Sequence, residues 1–89
     1  MLDKRNHWLI IDNKKIDLTT MQVRIYEILD KNKNNYVSRE VIARELYGDI
    51  EVDDSIKRNI STNIHRLRKK DKSIRIKMKR EVGYMLEEE

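Results

Sequence analysis

The sequence predicts a small α+β domain: a three-helix core with a short N-terminal sheet before it and a C-terminal β-hairpin after it. Three observations carry this. The stretch from Thr19 to Lys70 holds three separate apolar stripes at helical spacing. Both flanks alternate apolar and polar residues with a period of two. With 89 residues there is room for one core, so the whole chain, 1–89, reads as a single domain.

In chain order, Trp8 to Ile11 are apolar and Asp12, Asn13, Lys14 and Lys15 read as a turn. Ile16 and Leu18 then alternate with a polar residue, so residues 1–18 make a minimal sheet. Leu18, Thr19, Gln22 and Val23 form a helix-start signature, with Thr19 as N-cap, Gln22 closing a capping box, and Leu18 and Val23 as hydrophobic staple. That first helix buries Val23, Tyr26 and Leu29 and ends near Lys31, before the left-hand-tolerant Asn32, Asn34 and Asn35. Tyr36 and Val37 are β-prone. Ser38 caps a second helix of about ten residues, with Val41, Ile42 and Leu46 facing inward and Gly48 as its stop.

An acidic loop, Asp49 to Asp54, leads to a third helix over 55–70. Its Ile56, Ile60, Ile64 and Leu67 recur at intervals of four, four and three and define one packing face. From Ser73 the period changes to two. Ile74, Ile76 and Met78 alternate with Arg75, Lys77 and Lys79, a turn falls near Arg80 to Gly83, and Val82, Tyr84 and Leu86 resume the alternation, which makes 73–86 a hairpin with one basic face. The three terminal Glu read as a frayed tail.

Composition excludes several functions. There is no Cys, only two His (His7 and His65), and only two Gly (Gly48 and Gly83), so thiolate metal sites, thiol nucleophiles and glycine-rich phosphate loops are all missing. The sequence offers no catalytic constellation, cofactor site or metal site. No apolar run approaches the ~20 residues that span a bilayer, and nothing calls for an oxidising compartment, so a cytoplasmic address without membrane contact is expected.

Charge is uneven. Residues 57–80 hold 11 Lys or Arg against one acid, Asp71, a local charge of +10, whereas the other 65 residues hold 9 basic and 15 acidic side chains, or −6. A local excess of this size points to a polyanion partner. At ~100° per residue, the side of the third helix opposite its isoleucines centres on Arg58, Thr62, His65 and Lys69, flanked by Ser61, Arg66 and Arg68. No acid occurs from Arg58 to Lys70, so these cations lack the i to i+4 partners that a plain solvated helix provides.

The mix of side chains suits duplex DNA. Ser61, Thr62, His65 and Arg66 are the candidate base contacts, with Arg66 foremost because a guanidinium can bond two acceptors of guanine together; a phosphate clamp is its alternative. Arg58, Asn63, Arg68, Lys69, Lys77 and Lys79 are candidate phosphate contacts, and Arg80 at the hairpin tip suits the minor groove. A protein-interaction module without specific DNA binding is the competing reading, and it would require an exposed apolar patch. RNA binding is disfavoured because the basic segment lacks stacking aromatics; Trp8, Tyr26, Tyr36, Tyr47 and Tyr84 are all expected in the core.

These motifs together resemble the winged helix-turn-helix effector domain of the OmpR/PhoB-type response regulators. Leu18-Thr19, Val37-Ser38-Arg39-Glu40 and Leu46-Tyr47-Gly48 resemble its first half, Arg58 to Lys70 its recognition helix, and Val82-Gly83-Tyr84 the end of its wing. The resemblance implies promoter DNA binding as a bacterial transcriptional regulator, commonly as a head-to-tail pair on direct repeats. It carries DNA contacts onto Arg58, Thr62, Asn63, Arg66, Arg68 and Arg80. It also implies an RNA polymerase contact through the loop bearing Asp49, Glu51, Asp53 and Asp54.

The sequence departs from the family pattern at Glu81, where Gly is frequent, at Met78, where Thr is frequent, and at Tyr47, where Trp is common. The N-terminal region is short for the family's four-stranded sheet, and these 89 residues contain no phosphorylatable receiver domain.

Overall fold

In the computed structural model, which describes residues 1–88, strands β1 (Leu2–Asp3), β2 (Trp8–Ile11) and β3 (Lys14–Asp17) precede helices α1 (Thr20–Lys31), α2 (Arg39–Tyr47) and α3 (Asp54–Lys70). Strands β4 (Ile76–Lys79) and β5 (Gly83–Leu86) close the chain. β1, β2 and β3 form an antiparallel sheet in that order, and β4 and β5 pair as a hairpin. No helix among the described residues is long and apolar enough to cross a membrane.

The N-terminal sheet has one strand more than the expected hairpin. Asp3 creates it, because its carboxylate accepts from the backbone N–H of Arg5 and Asn6 and from the Asn6 side chain, folding the chain back onto β2. The next turn is tighter than its composition suggests. Ile11 pairs directly with Lys14, so the loop is only Asp12-Asn13, both at positive φ as a type I′ turn requires, and Lys14 and Lys15 belong to the strand.

α1 begins as its sequence dictates. The Gln22 N–H donates to the Thr19 hydroxyl at 3.1 Å, and the Thr19 N–H donates to Gln22 Oε1 at 3.0 Å, so two otherwise orphaned donors are satisfied reciprocally. Ser38 caps α2 through Val41 N–H, and Gly48 ends it at φ +84°. Asp53 caps α3 through Ile56 N–H, with Asp54 in its first turn.

One core joins all layers. Leu9, Ile25, Leu29, Ile42, Ile60, Ile64 and Leu67 are its largest fully buried side chains, and Ile74, Ile76, Tyr84 and Leu86 seal it from the hairpin side. Burying each such aliphatic side chain stabilises the fold by roughly 1.5–3 kcal/mol.

Several expected core positions face outward instead. Val41 is 47% exposed and Ala43 takes its place inside, because α2 is short and turns Ile42, Ala43 and Leu46 toward its neighbours. Met78 and Val82 are also exposed, since the hairpin projects past the helices and its distal half has nothing to pack against. Tyr36 and Tyr47 are exposed, while Tyr26 and Tyr84 are buried and Trp8 is half-buried beneath the Lys15 ammonium, 3.8 Å from the ring centroid. Ile56, at the start of α3, is only partly buried.

The C-terminal acids are engaged rather than frayed as far as Glu88. Glu87 pairs with Lys77 and Arg75, and Glu88 pairs with Lys33; Glu89 lies outside the described residues.

Candidate nucleic-acid interface

The interface is built on α3. Ile60, Ile64 and Leu67 are buried and fix the rotation of the helix about its axis, which turns Arg58, Thr62, His65, Arg66, Arg68 and Lys69 to solvent. Among the described residues, none of these six side chains makes an ion pair or hydrogen bond. An exposed row of unpaired cations keeps its full charge available for an anionic surface.

Two candidates on α3 are differently placed. Asn63 is half-buried and donates its amide to the Asn59 carbonyl at 2.9 Å and to Asn59 Oδ1 at 3.0 Å, and its own oxygen has no partner among the described residues. Ser61, also half-buried, turns toward the junction with α2 and the hairpin. There its hydroxyl accepts from Arg39 Nη1 and from the Tyr84 hydroxyl, each at 3.1 Å. At the helix end, Lys70 donates to the Asp17 carbonyl and so serves as a tie to β3.

The hairpin stands beside α3 because Val37 bridges to it. Val37 N–H donates to the Tyr84 carbonyl at 2.7 Å, and Tyr84 N–H donates to the Val37 carbonyl at 2.9 Å. This seats the entrance of α2 on β5 and opens a groove whose lining includes the basic Arg39, Lys57, Lys79 and Arg80 and the acids Glu40 and Glu81. Arg39 was not among the sequence candidates. Its position immediately after the Ser38 cap was visible, but that the groove opens beside it depends on how the hairpin docks.

The basic candidates of the hairpin divide. Lys77 is ion-paired with Glu87, which raises its pKa above the ordinary value through that hydrogen bond and attraction. Lys79 lies 5.9 Å from the Tyr36 ring centroid. Arg80 is exposed at the tip, next to Glu81, which adopts φ +65°. The turn therefore takes the left-handed step that glycine would make without strain, with a larger residue bearing it.

Of the acidic set, Asp49 and Glu51 are exposed in the loop between α2 and α3, whereas Asp53 and Asp54 begin α3 and face its positive N-terminal end. Among the described residues, no group of His, Asp and Glu is arranged to hold a metal ion.

Comparison with known proteins agrees with this geometry. The family described as transcriptional regulatory protein, C terminal, matches residues 13–86. A Staphylococcus epidermidis protein named as an epidermin response regulator is 31% identical over 88 residues, covering 96% of this chain; the chain spans 42% of that relative's length.

Among solved structures, the C-terminal domain of the nisin resistance regulator NsrR superposes with a TM-score of 0.80 at 27% identity, covering 100% of this chain and 92% of that one. The Klebsiella pneumoniae RstA DNA-binding domain, solved in complex with the RstA box, gives a TM-score of 0.80 at 24% identity, covering 97% and 88%. The Bacillus subtilis CssR DNA-binding domain shares the fold with a TM-score of 0.80 at 20% identity, covering 97% of each chain. With its three helices, its N-terminal sheet and its C-terminal wing, the chain belongs to the transcriptional regulatory protein C-terminal family, the winged helix-turn-helix effector domains of OmpR/PhoB-type response regulators.

Proposed function

We propose that this domain binds double-stranded promoter DNA sequence-specifically, as the effector part of a bacterial two-component response regulator. α3 lies in the major groove and the wing in the adjacent minor groove. The observation that carries this reading is the outer face of α3: exposed, free of acid from Arg58 to Lys70, and bearing cations without ion pairs among the described residues.

In this arrangement Arg66 reads a base pair through its bidentate fork, with Thr62 and His65 alongside. Arg58, Arg68, Lys69 and the Asn63 amide, which exchanges its Asn59 acceptors for a phosphate, position the helix on the backbone, with Lys79 contributing from the wing, and Arg80 enters the minor groove. That the RstA DNA-binding domain, which shares this fold, is solved in complex with its RstA box supports DNA binding by this domain. Tandem binding of two copies on direct repeats, and an RNA polymerase contact through Asp49 and Glu51 at the exposed loop, complete the proposal.

The test is the salt dependence of duplex affinity. About five phosphate contacts give a log-log slope of roughly −4.5, since each contributes about −0.9. Selection of duplexes from a random pool then yields the motif and its repeat spacing. Weak, salt-insensitive association with every duplex would overturn the reading in favour of a protein partner.

A further inference from the structure

Ser61 is the point where three elements of the interface meet. A serine hydroxyl has two acceptor positions and one proton. Here Arg39 Nη1 from the first residue of α2 fills one acceptor position, and the Tyr84 hydroxyl from β5 fills the other, both at 3.1 Å. Tyr84 is buried and its backbone pairs with Val37, so this strand of the wing is held twice, to the entrance of α2 by that bridge and to α3 by the hydroxyl that donates to Ser61. The turn of the same hairpin, one strand pair beyond Tyr84, carries Arg80, exposed at the tip.

We propose that Ser61 is a positioning residue for the wing: the Arg39–Ser61–Tyr84 relay sets the angle between the wing and α3, so that Arg80 reaches the minor groove while α3 occupies the major groove. The proposal rests on the DNA-binding reading above and assigns to Ser61 a role other than base contact. A short polar relay suits this task because its bonds have direction. Apolar packing at the same place would hold the wing close to α3 without fixing its tilt. The relay also sits inside the groove that a duplex would fill, where loss of water strengthens it.

The experiment is a double-mutant cycle on the domain with its selected duplex, combining Arg80→Ala with Ser61→Ala and, separately, with Tyr84→Phe. Both relay variants remove a single hydroxyl, and thermal melting verifies that each is folded. Arg80→Ala is expected to weaken binding about tenfold in the wild-type background but no more than about twofold when either hydroxyl is absent. Ser61→Thr, which keeps the hydroxyl, restores the larger effect.

Equal losses from Arg80→Ala in all backgrounds overturn the proposal while leaving DNA binding intact. Failure of the wild-type domain to bind any duplex overturns instead the reading on which it rests. A loss from Ser61→Ala confined to one base pair of the site, with the Arg80 effect unchanged, assigns Ser61 to base contact and also overturns it.

Discussion

The outer face of α3 and the strands of the wing are both rich in Lys and Arg, and in sequence they look like one continuous basic segment. In three dimensions they differ. Arg58, Arg66, Arg68 and Lys69 face solvent without ion pairs among the described residues, whereas Lys77 shares the Glu87 carboxylate with Arg75. Glu87 comes from the chain just beyond β5, where the antiparallel hairpin returns it to the side of β4, and its backbone N–H also bonds the Arg75 carbonyl. A cation already paired gives less to a phosphate, since the pair must be loosened first. The comparison teaches that cations without ion pairs among the described residues gather on α3 and at the wing tip, so that under the proposed function these form the reading surface and the strands of the wing serve mainly as a mount.

The largest expected effect breaks the mount. A Cβ added at Gly83 would lie 2.1 Å from the Val37 carbonyl oxygen, at φ +147°, a backbone that L side chains rarely adopt. Gly83→Ala is expected to destabilise the domain by about 2–4 kcal/mol, measured by denaturant unfolding. An unchanged midpoint would mean that the wing is not seated on Val37.

Next is Arg66→Ala, expected to remove about 1–3 kcal/mol of discrimination at one base pair while other positions of the site keep their preferences. Competition binding with single-substituted duplexes reads this, and a uniform loss would assign Arg66 to the backbone. Arg68→Ala is expected to weaken all duplexes alike and to reduce the salt slope by about one. Lys77→Ala should change that slope less than Arg68→Ala does. An equal change from the two would erase the distinction between reading face and mount.

The smallest effect is acidic. The Lys77 hydrogen bond, with attraction from Lys77 and Arg75, holds the Glu87 carboxyl below its ordinary 4.5. A depressed carboxylate stabilises the fold fully above its unfolded value and loses that contribution as pH falls through its folded value. Melting temperatures of the wild type and Glu87→Gln should therefore differ at neutral pH and converge as the pH falls through the lowered folded value of Glu87. A gap that persists in acid would show that the carboxylate charge is not what holds the hairpin end.

Much of this was legible in the sequence because it rests on local rules. The capping box of Thr19 and Gln22, the Ser38 cap and the Gly48 stop involve atoms within a few residues of one another, so residue type alone specifies them. The rotation of α3 was equally legible, since Ile60, Ile64 and Leu67 must be inside and the face opposite them must then be outside. Val41, Met78 and Val82 misled because periodicity states which side of an element is apolar, not whether anything packs on it. Tyr36 and Tyr47 misled similarly, as aromatic character alone gives no burial. β1 was missed because a two-residue strand has no period, and its signal was the Asp3 turn.

By itself, then, the chain determined its helices, their caps, the buried stripe of α3 and the acid-free face behind it, all consequences of spacing along a backbone of known geometry. Only the tertiary structure decided which cations are spent on internal partners, that Arg39 lines the groove, and that Ser61 joins α2, α3 and the wing. Those facts depend on contacts between residues such as Lys70 and Asp17, 53 positions apart, or Ser61 and Tyr84, 23 apart. Such distances are set by how whole elements dock, and no local propensity encodes them.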